Sequence, residues 1–317
     1  MHGAVAGLVG QREGDARLDF KVPLEALHRE GHFGRAAEVA LTVQTFERCL
    51  KIEPRVAFTL PHQPGHGPVH QLALANTNVR LYDLGGRTHN IQALEYAGSG
   101  GNALHTWAAH VELNRFTSTA IDARAPQPLL LRAEATYNRH YAPKKAVRVR
   151  LFGGRFLQDS LYNEFFLGLS GSPDYRRQTV FLDRQQISPA LAAQTHQTDE
   201  RDGGFRAFLP VGSQRWLSTL NIQADVPALP LAVFADFGLT AANVTLPGPD
   251  RRSQNTFYDA GLVVPLRGIL NLYFPLAGSQ YANGLPASRQ DFTDRIRFSL
   301  RLDKLSPFRV LDGLLAQ

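Results

Sequence analysis

The sequence predicts an all-β protein, an antiparallel transmembrane-type β-barrel of about 12 strands, with 14 as the alternative count, and one long loop. Three observations carry this. Apolar and polar residues alternate with period two in run after run along the 317 residues. No stretch approaches the roughly 18 consecutive apolar residues of a membrane helix. The runs reach about ten residues, the span of a tilted membrane-crossing strand, whereas soluble strands average about five or six.

The elements follow in order. The first ten residues, Met1 to Gly10, read as a strand. Ala16, Leu18, Phe20 and Val22 then alternate with Arg17, Asp19 and Lys21, which puts the charge of that run on one face. The pattern returns at Ala37 to Val43, at Val56 to Leu60 and at Leu72 to Leu81. Trp107, Ala109, Val111 and Leu113 oppose His110, Glu112 and Asn114, and Leu131, Ala133, Ala135 and Tyr137 oppose Arg132, Glu134, Thr136 and Asn138. Val147, Val149 and Leu151 oppose Arg148 and Arg150. Leu220 to Val226, Leu231 to Leu239, Phe257 to Leu266 and Ile269 to Leu276 continue the series, and Ile296 to Leu302 closes it with Arg295, Arg297 and Arg301 on the polar side.

Glycine and proline punctuate the runs at Gly85-Gly86, Gly98 to Gly101, Pro143, Gly153-Gly154, Gly203-Gly204, Pro227 to Pro230 and Pro247 to Pro249, all read as turns. The weakly patterned stretch from about 158 to 204 is the long loop, folding over or into the barrel. No linker or internal repeat divides the chain, so residues 1–305 form a single barrel domain and 306–317 a short C-terminal tail.

Alternation alone suits a soluble sandwich as well as a membrane barrel. In the barrel, the apolar face meets lipid and the charged face the lumen, so Arg132, Glu134, Arg148, Arg150, Arg295, Arg297 and Arg301 are expected to face inward. Turned outward, Arg148 and Arg150 would each cost about 2 to 4 kcal/mol at the bilayer midplane. Aromatics at run ends, Tyr137, Tyr141, Phe156, Tyr258 and Tyr273, suit an interfacial girdle. The competing assignment is a soluble β-barrel enclosing an apolar ligand.

A net charge of +6 comes from arginines scattered along the chain, not from a basic run, so no nucleic-acid partner is expected. The one cysteine, Cys49, builds no disulfide framework. The N-terminus has neither the basic start nor the apolar core of an export signal, which for an exported barrel implies the C-terminal portion of a longer protein.

No catalytic, metal or cofactor site is expected. His62, His66 and His70 stand four apart, but Pro61, Pro64, Gly65, Gly67 and Pro68 forbid the helix that would align them. His28-Arg29-Glu30-Gly31-His32 carries its glutamate at the wrong place for a zinc peptidase. Gly85-Gly86-Arg87 and Gly98 to Gly101 lack phosphate-loop spacing, and Ser170 lacks the final glycine of a nucleophile elbow. Asp174, Asp183, Asp199, Glu200 and Asp202 read as an exposed polar loop.

The last third resembles the C-terminal barrel of the bacterial outer-membrane surface-antigen superfamily, which includes barrel-assembly and two-partner-secretion proteins. Leu220 to Pro227 followed by Val233-Phe234-Ala235-Asp236-Phe237-Gly238 resembles its proline-ended strand and then its F-x-D-x-G strand. Phe257 to Leu262, Leu270 to Leu276 and Arg295 to Leu302 resemble the strands that follow. Asp202-Gly203-Gly204-Phe205-Arg206 stands where the family carries an R-G-F/Y lumenal loop motif, with Asp202 in place of the arginine, and the chain ends without a terminal aromatic. Arg148 to Phe156, Phe166 to Tyr175 and Asp202 to Arg206 also resemble the membrane-barrel region that follows a gluzincin aminopeptidase domain in Bacteroidetes-type proteins. The resemblance implies a non-enzymatic barrel of the bacterial outer membrane whose partners are the lipid bilayer and an upstream peptidase or periplasmic domain. Its role would be assembly or translocation, or anchoring a larger peptidase-like protein.

Overall fold

The computed structural model describes residues 5–11, 15–24, 36–46, 49–60, 67–81, 87–119, 127–143, 145–158, 165–171, 202–207, 209, 211–245, 253–266, 270–279 and 292–300. The strands are β1 (Val5–Gln11), β2 (Asp15–Leu24), β3 (Ala36–Phe46), β4 (Cys49–Thr59), β5 (Val69–Leu81), β6 (Arg87–Gly101), β7 (His105–Ser118), β8 (Leu129–Ala142) and β9 (Lys145–Gln158). They continue with β10 (Leu167–Gly168), β11 (Gly212–Ser213), β12 (Trp216–Asp225), β13 (Ala232–Thr245), β14 (Ser253–Leu266), β15 (Leu270–Gly278) and β16 (Arg297–Leu300). Among the described residues a short helix, α1 (Phe292–Arg295), precedes β16.

All but β10 and β11 join one 14-stranded antiparallel sheet in sequence order, with β12 following β9. Neighbours in the chain are neighbours in the sheet, the up-and-down course of a barrel wall. The connections at 102–104, 143–144 and 267–269 are tight, whereas the 53 residues between β9 and β11 leave from the opposite end of the wall.

Two glycine clusters read as turns lie inside strands. Gly98 to Gly101 belong to β6 and pair with Ala109 to Thr106 of β7. A Cβ on Gly100 would stand 3.2 Å from both Pro68 and the Trp107 ring, so glycine there admits close packing, not a reversal of the chain. Gly153 and Gly154 lie in the middle of β9, paired with Ser218 and Leu217 of β12. At the far end, Arg295 sits in α1 and not on the closing strand, which begins at Arg297; Arg301 lies outside the described residues.

Burial runs opposite to that of a soluble sheet. Leu74, Leu151 and Phe237, on strand faces pointing away from the interior, are 57%, 53% and 49% exposed. On the other face, Glu112 and Arg297 are each 1% exposed and Asp236 is fully buried. Along β9, Val147, Val149 and Leu151 point out while Arg148, Arg150 and Phe152 point in. The same parity holds along β8 and β12 to β14. An apolar exterior around a charged interior is the distribution of a transmembrane-type antiparallel β-barrel.

The exterior also carries aromatics near the strand ends. Trp107 pairs with Tyr137 across β7 and β8, and Tyr141 and Tyr258 are likewise exposed. Phe156 and Tyr273, expected in that girdle, instead point inward and are buried. Phe156 joins the interior apolar cluster, and Tyr273 packs edge-on against Phe234.

Candidate functional site: the occupied interior

Residues 165–171, 202–207, 209 and 211–213 lie against the inner face of the wall and are stapled together by the β10–β11 pairing. Their apolar side chains, Phe165, Leu167, Leu169, Phe205, Leu209 and Val211, form one buried cluster with inward residues of β6 to β9, β12 and β14. Phe165 packs at a tilt against Phe116, 4.6 Å between centroids, and meets His89 edge-on. On β9, a Cβ at Gly154 would come within 2.8 Å of Leu167, so glycine there makes room for the inserted segment.

Backbone carried into an interior must find partners for its N–H and C=O groups, and the wall supplies them. Thr219 Oγ1 donates to the Gly203 carbonyl at 2.8 Å, and Asn221 Nδ2 donates to the Gly204 carbonyl at 3.4 Å. Asp236 accepts the Arg206 N–H at 2.9 Å, and Asp259 accepts the Ala207 N–H at 2.7 Å. From β16, Arg297 donates to the Arg206 carbonyl at 2.9 Å. Gly204 adopts φ +67°, and a Cβ there would stand 2.6 Å from the Arg150 guanidinium, so both backbone and space call for glycine.

Two arginines organise the charge. Arg150 donates to Asn221 at 3.0 Å, to Glu134 at 2.8 Å and to the Asp202 carbonyl at 2.7 Å, with its guanidinium 5.3 Å above the Phe152 ring. Arg206 forms an ion pair with Asp236, donates to Gln223 at 3.2 Å and covers the Phe234 ring at 5.0 Å. Asp202 accepts the Gly168 N–H at 2.8 Å and lies 3.6 Å from Arg132. Such charge-assisted bonds, shielded from water, hold a segment firmly.

The sequence-predicted residues therefore separate. Arg132, Glu134, Arg150 and Arg297 converge with Asp202 to Arg206 at the inserted segment. Arg148 shares their face but stands apart, in a bidentate pair with Asp225 near the short-turn end. Asp202 is buried, contrary to its reading as part of an exposed polar loop; Asp174, Asp183, Asp199 and Glu200 lie outside the described residues. His70 lies on β5, bonded to Tyr96 at 2.8 Å, while His62, His66, His28 and His32 lie outside the described residues. Ser170 is a clamp: its hydroxyl donates to the Ala207 carbonyl and accepts the Leu209 N–H, so its proton and one lone pair are engaged in holding the segment.

Thr219, Asn221, Asp236 and Asp259 were not singled out from sequence as site residues. Their signal was present as a polar residue at the inward parity of an apolar strand. Only the fold shows that a second chain segment needs those groups.

Between β4 and β8 the interior is different. A cavity of about 330 Å³ is lined by Thr59, Gln71, Ala97, His110, Glu134 and Thr136. Below it, Arg55 bridges Gln71 and Glu95, each at 3.3 Å.

No protein-family model and no curated protein matches the chain. Among solved structures, CdiB from Acinetobacter baumannii aligns over 87% of this chain at 10% identity and a TM-score of 0.35. The aligned part is 56% of CdiB, so this chain spans about half that protein's length.

Proposed function

We propose that this chain is a barrel of the bacterial outer membrane, embedded in the lipid bilayer, with a non-enzymatic role. The observation that carries the reading is the inverted burial: Leu74, Leu151 and Phe237 outside, Glu112, Asp236 and Arg297 inside. A soluble barrel that holds an apolar ligand would need the reverse, because its exterior meets water. The bonds from Thr219, Asn221, Asp236, Asp259 and Arg297 hold the 202–207 segment across the interior, which favours a gated or plugged barrel over an open pore. The role is protein assembly or translocation, or anchoring of a larger peptidase-like protein; the resemblance of Leu220 to Leu302 to surface-antigen barrels supports this reading.

The test is behaviour in detergent and on gels. The folded chain should stay dispersed only with detergent and migrate faster on a gel unheated than boiled. A monomer stable in plain buffer would refute the reading.

A further inference from the structure

On the outer face of the wall, polar side chains replace apolar ones across β5 to β7 near the long-loop end, and exposed Arg155 of β9 stands beside Leu131 on the same side. The outward row Leu74, Leu94, Leu113, Leu131 is apolar across β5 to β8. One step toward the long-loop end, the row becomes Asn76, Gln92, Arg115, and the next becomes Asn78, Asn90, Thr117. In that second row, neighbouring β4 still presents exposed Ile52, paired with Asn78. Beside Arg115, β8 presents Leu129. A polar notch three strands wide thus interrupts an apolar belt.

Its chemistry is one-sided. Asn90 Nδ2 donates to Asn76 Oδ1 at 2.7 Å and to Asn78 Oδ1 at 2.6 Å, which leaves the Asn76 and Asn78 amide N–H groups for another acceptor. Gln92 and Arg115 are exposed, and among the described residues neither makes a side-chain hydrogen bond or ion pair. Every described strand carboxylate, from Glu38 to Asp259, has the opposite, inward parity. Among the described residues the outer patch therefore offers the Arg115 guanidinium and amide N–H donors with no strand carboxylate on the same face.

Resting on the membrane reading, we propose that this patch binds the phosphate headgroup of a lipid in the surrounding leaflet. Arginine on the lipid side is tolerable only near the interface, the depth at which headgroup phosphates lie. The planar guanidinium of Arg115 matches a phosphate in two-point fashion, and the amides of Gln92, Asn76 and Asn78 add donors from adjacent strands at cross-strand spacing. A second copy of the chain would bring arginine against arginine.

The experiment reconstitutes the whole chain in phosphatidylcholine vesicles containing a minor fraction of phosphatidic acid, extracts it in mild detergent and counts retained lipids by native mass spectrometry. The wild type should retain phosphatidic acid preferentially. Arg115→Gln should lower that preference about five-fold, the effect of one basic side chain at an anionic surface. Arg115→Gln with Gln92→Leu and Asn78→Leu should abolish it. Arg139→Gln, outward at the short-turn end of β8, should leave it intact. Unheated gel migration reports folding, and if the triple variant fails that check Arg115→Gln alone decides. Equal retention by wild type and Arg115→Gln would overturn the proposal, as would displacement of the lipid by inorganic phosphate, which would reveal a plain anion site. A wild type that fails to float with vesicles would overturn the membrane reading itself.

Discussion

The inner face of the wall is built in two ways. From β8 to β16 it is filled: arginines and carboxylates are spent on the backbone of the inserted segment, and Phe152, Phe205, Leu217 and Phe257 close the gaps. From β3 to β7, apart from Ile91, His89 and Phe116, which join or meet the buried cluster, inward positions carry alanines, Ala40, Ala57, Ala73, Ala75 and Ala93, and the charges pair within the wall. Lys51 meets Glu53 at 3.6 Å, Thr77 donates to Glu53 at 2.6 Å, and Arg55 meets Glu95 at 3.3 Å. The same period-two pattern therefore supports a packed core on one side and a cavity on the other. What differs is whether polar wall residues answer to a second segment or to each other.

That difference predicts unequal costs. Arg150→Met should be the most damaging substitution, because it strips the donor from Glu134, Asn221 and the Asp202 carbonyl at once. Breaking a buried charged network costs about 3 to 5 kcal/mol. Urea titration of the unheated gel band should show that loss, and an unchanged midpoint would mean that the segment is not held by this network.

Gly154→Ala places a methyl group against Leu167 and should cost about 1 to 3 kcal/mol through overpacking. Gly153→Ala, one residue away with nothing within 4 Å of its Cβ, should be nearly silent in the same titration. Equal effects would show that the inserted segment does not press on β9.

The smallest effect belongs to the other side. Arg55→Gln removes a pair in which Arg55 is still 26% exposed, so the loss should stay below about 1 kcal/mol. A loss as large as that of Arg150→Met would erase the distinction between the two halves.

The β architecture was legible because alternation needs only one dry face, whichever side that is. β6 was the strand missed: its Gly98 to Gly101 segment carries the composition of a turn, and only the packing of Tyr96, Trp107 and Pro68 over the backbone and the positive φ of Gly101 explain glycine in a strand. Gly153-Gly154 misled in the same way, with Leu167 as the hidden cause. The inward parity of Arg132, Glu134 and Arg150 could be read from their neighbours, but their target could not. Asp202 looked like loop polarity because hydrogen bonds to Gly168 and the approach of Arg132 depend on contacts far apart in the chain. Phe156 and Tyr273 show the limit of reading girdles from run ends: both sit at the inward parity.

Contact between the apolar face of the wall and lipid is open to chemical labelling. In a chain whose Cys49 is replaced by serine, single cysteines along β12 report which face meets the bilayer. Reconstituted in vesicles, Leu220→Cys, Ile222→Cys and Ala224→Cys should react with a membrane-confined maleimide, and Asn221→Cys and Gln223→Cys should not. Labelling of the Leu220 and Ile222 positions by a water-soluble maleimide, with no reaction from within the bilayer, would contradict the account.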